Sequence, residues 1–288
     1  MRTLLRLLTT VALACAPAFA AVAVSPVAAH AAGGPQVLVV TTGNAAQDVA
    51  DYAIERLQME ARRWNFTLTE GTPEHLERLG GYDVVMFVNT GADFLDADQQ
   101  ESVETFVEQG GGLIATNAAI QSETDWTWYH ETLGATALPP ADASTEEAVT
   151  FNSGSPVTEG LDEELKLTEH WYSFDPAPVQ PGSTVLAQLG SGQAVAWVDE
   201  ELPVFYASPG GEGKTWGDRD FLKLMRQAIW WSAGEEGAMV QNSEDAAPAW
   251  PYTLTFAMFV IAVAGGGSIA VWRLDKAETE KEAAAARA

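Results

Sequence analysis

Between residues 35 and 234 the chain alternates short apolar runs with longer amphipathic ones. Gln36-Val37-Leu38-Val39-Val40-Thr41 is apolar and β-branched without alternation, the pattern of a strand buried on both faces. Ala46, Val49, Ala50, Ala53, Ile54, Leu57, Ala61 and Trp64 then recur at intervals of three and four, which predicts a helix with one apolar stripe. Phe66 to Leu68 opens a second strand and Tyr82 to Val88 forms a third. Asp96, with Gln99 three residues on, reads as a capping box for a helix presenting Val103, Phe106 and Val107. Gly110-Gly111-Gly112 stops that helix, and Leu113 to Thr116 is a fourth strand. Strands alternating with helices predict parallel pairing through right-handed crossovers. The second half is richer in strands, at Ser183 to Leu189, Gln193 to Val198 and Val204 to Ala207. A helix from Asp218 to Ala233 closes the pattern, with Phe221, Leu222, Met225 and Ile229 inward and Gly234 as its stop.

The two ends follow different rules. Arg2 and Arg6 precede an apolar run from Val11 to Val24 and then Ala29-His30-Ala31, the layout of a secretory signal peptide with a small-x-small cleavage site. Ala18-Phe19-Ala20 offers a second cut. Tyr252 to Trp272 contains no charge, and its 21 residues are enough to cross the membrane core as a helix. Trp250, Tyr252 and Trp272 fall where interfacial aromatic belts lie, and Arg273 and Lys276 favour a cytoplasmic C-terminus. The chain is therefore expected to comprise a signal peptide (1–31), an α/β domain (35–234), a polar linker (235–250), a transmembrane helix (251–272) and a cytoplasmic tail (273–288). The expected localisation is a single-pass membrane protein with its large domain outside.

Charge narrows the partners. The whole chain carries a formal −25, and residues 32–250 hold 9 Lys and Arg against 36 Asp and Glu, a formal −27. Nucleic acid is excluded as a partner, because phosphate binding needs clustered positive charge. The lone cysteine, Cys15, lies in the first apolar run, so the mature domain has no disulfide, thiolate nucleophile or cysteine metal ligand. With only His30, His75, His130 and His170, a histidine-based zinc site is not expected, and neither the pattern nor the composition calls for a cofactor.

Four stretches carry a family resemblance. They are Tyr82-Asp83-Val84-Val85 through Asn89-Thr90 with Leu95-Asp96; Gly110-Gly111-Gly112-Leu113-Ile114 to Asn117-Ala118-Ala119 with Asp125-Trp126-Thr127-Trp128-Tyr129; Glu169-His170-Trp171-Tyr172; and Val204-Phe205-Tyr206, Gly210, Thr215-Trp216 and Trp230-Trp231-Ser232-Ala233-Gly234. In order and spacing they resemble the ThuA-like (trehalose-utilisation) proteins. The resemblance implies a class I glutamine amidotransferase-like fold, that is, a flavodoxin-like, doubly wound, mostly parallel sheet, and a link to carbohydrate metabolism. It does not imply glutaminase activity, since the nucleophile cysteine is missing. The chain also departs from the family pattern. Where the family has His-Ala-Ala it has Asn117-Ala118-Ala119; for His-Pro it has Ser155-Pro156; for Gly-His-Thr it has Gly210-Gly211-Glu212. Glu169-His170 stands in place of an acidic pair. Asn and Ser form hydrogen bonds but do not titrate near neutral pH.

The candidate ligand-binding residues are Asn117, Trp126, Trp128, Tyr129, Trp171, Tyr172, Gly210 and Trp216. Asn117 falls at the C-terminal end of a parallel strand, where open α/β sheets bind ligands, though an asparagine there also caps loops. Trp126 and Trp128, two apart on a short helix, are expected to point in different directions, one toward a pocket and one into the core. The weak catalytic candidates are His170, Glu169 and Glu212; on a strand, Glu169 and His170 face opposite sides. Asp162-Glu163-Glu164 and Asp199-Glu200-Glu201 read as solvated acidic surface. Gly210 to Thr215 lacks the glycine spacing of a phosphate-binding loop, position 208 being Ser. Aromatic planes with neutral hydrogen-bonding groups suit a small neutral sugar. An active enzyme on keto-sugars or glycosides and a scaffold for a membrane protein partner are the alternatives.

Overall fold

The computed structural model describes residues 33–234 except 43–46, 140–142, 176–180 and 200. The predicted signal peptide, linker, span and tail lie outside the described residues. Among the described residues no helix is long and apolar enough to cross a membrane.

The first half alternates as the pattern predicts: β1 (Gln36–Val40), α1 (Gln47–Trp64), β2 (Thr67–Gly71), β3 (Val84–Val88), α2 (Ala97–Glu108) and β4 (Gly112–Thr116). A short α3 (Thr127–Leu133) and β5 (Thr136–Ala137) lead to β6 (Thr145–Phe151) and β7 (Glu164–Glu169). Then come β8 (Phe174–Asp175), β9 (Ser183–Leu189), β10 (Ala194–Asp199) and β11 (Val204–Ala207), followed by a single-turn α4 (Gly213–Trp216) and the long α5 (Arg219–Ser232). The capping box at the start of α2 is formed: Asp96 accepts from Gln99 N, and the Gln99 side chain accepts from Asp96 N.

One nine-stranded sheet runs in the order β2-β1-β3-β4-β11-β10-β9-β6-β7. The first five strands are mutually parallel. The remaining four extend the sheet antiparallel. The expectation of parallel pairing holds for the five-stranded part, and the sheet as a whole is mixed. Strands β6 and β7 are additions to the predicted elements: Thr-Glu-Glu-Ala-Val-Thr-Phe buries Val149 alone, and Glu-Leu-Lys-Leu-Thr-Glu carries only a short alternation at Leu165 and Leu167.

Both faces of the parallel part are covered, which explains its continuous apolar strands. Alternation sends Val37 and Val39 to the α1 and α5 face, while Leu38 and Val40 join α2 and α3 on the other. Phe221, Leu222, Met225 and Ile229 of α5 are all buried in the first of these clusters. Each large apolar side chain so buried contributes roughly 1.5–3 kcal/mol. The packing brings the C-terminal ends of β3, β4 and β11 side by side, and the loops that follow them build the site.

Candidate functional site at the C-terminal edge of the sheet

Strands β3 and β4 each end on an asparagine in the left-handed region, Asn89 at φ 50° and Asn117 at φ 48°. Asparagine tolerates this region better than most residues. The conformation turns the chain sharply out of the sheet, and from Asn117 it enters a 3-10 turn over Asn117–Gln121. That turn is fixed from below by two buried phenols. Tyr206 donates to Asn117 O at 3.0 Å, and Tyr129 donates to Ala119 O at 2.7 Å. Burial pushes both phenols well above their ordinary value, so they stay protonated donors.

The loop after β11 closes over these ends. Asn117 Nδ2 donates to Ser208 O at 2.8 Å, and Asn89 Nδ2 donates to Gly210 O at 2.9 Å. Trp216 Nε1 donates to the same Gly210 carbonyl at 2.8 Å. Gly210 has φ 119°, a conformation side chains rarely adopt. At Gly211 an added Cβ would stand 2.9 Å from the Asn117 amide. Positions 117 and 211 therefore face one another directly.

Glu169 holds the loop from beneath. Its side chain is buried at the end of β7 and accepts from Gly210 N at 2.9 Å, Gly211 N at 3.2 Å and Thr215 Oγ1 at 2.5 Å. Burial pushes its carboxyl up to about 7, and the donated hydrogen bonds limit the rise. The Glu169 charge adds to burial in raising the Tyr172 phenol.

His170 lies one residue past the end of β7, so strand alternation does not set its direction, and it is exposed. Its Nδ1 lies 2.8 Å from Ser144 Oγ and 3.4 Å from Glu212 Oε1, while Ser144 donates to Glu212 at 2.7 Å. A hydrolytic relay needs the two imidazole nitrogens to serve two different partners. Here serine and glutamate both gather at Nδ1. Ser144 bridges the His170 ring and Glu212, so both partners share one edge of the imidazole. The cluster forms a polar rim beside Gly211.

The aromatic candidates divide. Trp216 is fully buried and its indole N–H is spent on Gly210, so it supports the loop instead of offering a face. Trp171 is buried, with Nε1 donating to Thr145 O at 3.0 Å. Tyr172 is buried beside the site, and its carbonyl accepts from Gln193 Nε2. The expectation that Trp126 and Trp128 diverge is corrected. Trp126 is the N-cap of α3 and lies outside its helical turns, so the two rings stack at 5.0 Å. Trp126 stacks in turn on Tyr129 at 5.5 Å, which places both in the core; Trp128 is half-buried. Ser155 caps a separate 3-10 turn by accepting from Val157 N, and that turn packs against α5. The structure thus brings together Asn117, Glu169, His170, Gly210, Glu212 and Trp216. Asn89 and Thr215, which stand in the family motifs without being named as candidates, belong with them, as do Ser144 and Ser208, which no sequence signal marks. Among the described residues no three His, Cys, Asp or Glu side chains group as a metal site.

The fold is an α/β fold with a mixed sheet, of the kind shared with glutamine amidotransferases. The sequence matches the ThuA family, described as trehalose utilisation, over residues 36–232, and the chain belongs to that family. A ThuA-like protein from Bacteroides uniformis is similar in structure, with TM-score 0.63 and 19% identity over 70% of this chain and 93% of that one. A ThuA-like protein from Parabacteroides merdae follows at TM-score 0.56 and 15% identity, over 70% and 91%. A GMP synthase protein from Thermoplasma acidophilum has TM-score 0.51 and 14% identity, over 73% and 98%. No curated protein matches the chain.

Proposed function

We propose that this ThuA domain is displayed outside the cytoplasm on its own C-terminal membrane span and binds a small neutral carbohydrate without transforming it. The observation that carries this reading is the contact between positions 117 and 211. Both are positions where the family resemblance implies histidines, and here they face each other as an amide and a bare backbone. The site keeps its scaffold, with Asn117 Nδ2 and Gly211 N committed to Ser208 O and Glu169, and the rim of Ser144, His170 and Glu212 offers donors and acceptors suited to sugar hydroxyls. Glu169 is committed to the loop's backbone and hydroxyl donors. Signal peptide, charge-free segment and the basic residues after it support the display outside the cytoplasm.

One observation favours a second reading, an enzyme acting on keto-sugars or glycosides. A buried carboxyl pushed up to about 7 is suited to proton transfer at neutral pH. Product analysis separates the two. The protein is incubated at stoichiometric concentration with neutral saccharides and their oxidised forms, and the sugars are followed by NMR. Every sugar recovered unchanged supports binding alone. Conversion that disappears in Glu169→Gln establishes the enzyme and removes the binding-only reading.

A further inference from the structure

A second cleft lies on the face of the sheet covered by α1 and α5. Of the nine Lys and Arg between residues 32 and 250, five line it: Arg56, Arg63, Arg219, Lys223 and Arg226. Glu60 and Asp220 oppose them in the lining, Asp220 pairing with Arg219 at 3.7 Å, and Asp162 and Asp218 stand beside Asp220; the lining itself carries a formal charge of +3 in a domain of −27. In a domain this acidic, gathering most of the positive charge in one concavity works against the long-range repulsion of anions. The cavity measures about 510 Å³, room for a body of hexose size in addition to a single ion.

Arg226 is the built part of the cleft. Its side chain is only 14% exposed, Nη1 bonds Glu60 at 2.8 Å, and the guanidinium lies 3.7 Å from the Trp64 ring centroid. The rest of its N–H fork makes no hydrogen bond among the described residues. A desolvated guanidinium held rigid at one edge, with the rest of its fork unspent, is pre-organised for a bidentate oxyanion. Lys223 and Arg219 flank it from the same helix: Lys223 Nζ is positioned by Gly160 O at 2.6 Å, and Arg219 is 87% exposed. Arg56 completes the wall by donating from Nε to Trp216 O at 3.3 Å. Trp216 in turn bonds the Gly210 carbonyl, so the cleft and the loop of the first site share a support.

We infer that the cleft between α1 and α5 is a binding site for an oxyanion, a phosphate, sulfate or carboxylate group carried on a body of about hexose size. Arg226 receives the anion bidentately, and Arg219 and Lys223 close over it. The inference is independent of any sugar at the first site.

The test uses the full-length protein and inorganic phosphate as probe, with ionic strength held constant by sodium chloride. Melting temperature and calorimetric heats are followed up to about 50 mM phosphate, well above the millimolar affinity expected of a small ion. The wild type is expected to melt higher in a saturable manner. The exposed double variant Arg219→Ser/Lys223→Ser should weaken the midpoint by about tenfold, as charge-assisted contacts are lost. Arg226→Gln should abolish the effect, and Arg62→Ser/Arg78→Ser, outside the cleft, should leave it unchanged. No saturable effect in the wild type overturns the site. An equal loss in the Arg62/Arg78 control also overturns it, by showing a general charge effect.

Discussion

Glu169 and Gly210 meet across 41 residues, with the Gly210 amide donating to a carboxylate that solvent scarcely reaches. This contact ties the end of an outer strand, β7, to the loop that follows the central β11. It also sets the loop's shape, because Gly210 adopts φ 119° while its carbonyl accepts from both Asn89 and Trp216. The candidate site is therefore a loop stretched over a buried acid, and its stability should depend on pH.

Burial pushes the Glu169 carboxyl up to about 7 from an ordinary 4.5. Between those values the folded chain keeps a proton that the unfolded chain has released. Stability contributed by this group is thus complete below about 4.5 and falls as pH rises to about 7, by at most about 3 kcal/mol. Urea unfolding at a series of pH values should show this decline in the wild type and a flatter profile in Glu169→Gln over the same window. Parallel profiles would show that the carboxyl is not perturbed.

A side chain at Gly210 must adopt a backbone conformation that only glycine reaches freely, and its Cβ would stand 3.3 Å from the Trp216 ring. Gly210→Ala is expected to lose about 1–3 kcal/mol in urea unfolding. A neutral effect would mean that the loop relaxes without cost.

Much of the scaffold was legible in the sequence. Gln36 to Val40 announced a doubly buried strand, the Asp96 and Gln99 box marked a helix start, and the apolar spacing of α5 gave its inward face. Strand β6 was hidden because it buries Val149 alone. Strand β7 does carry a signal, the short Leu165 and Leu167 alternation of a half-wet strand, but it is overshadowed by the acidic run of Asp162 to Glu164 beside it. The site was legible only in part. Asn117 could be placed at the end of β4, but its contact with Gly211 spans two distant loops. The commitment of Glu169 to backbone donors also has no local signal. Trp216 stands in a family motif, yet burial makes it a support; periodicity cannot reveal this for a one-turn helix.

The topology has its own test. If the tail is inside, as the positive charges of Arg273 and Lys276 favour, protease added to intact cells should digest the domain and spare a tag fused after Ala288. Loss of the tag on intact cells would contradict this orientation.

The central claim is that the edge formed by Asn117 and Gly211 holds a neutral sugar. Its most direct test is calorimetric titration with neutral mono- and disaccharides, comparing the wild type with Asn117→Ala at matched melting temperature. A small sugar offers few desolvated contacts, so the account predicts saturable binding of at least one sugar between roughly micromolar and millimolar affinity, weakened by about tenfold or more in the variant. Absence of saturable heat across the panel, or equal affinity in both proteins, would contradict it.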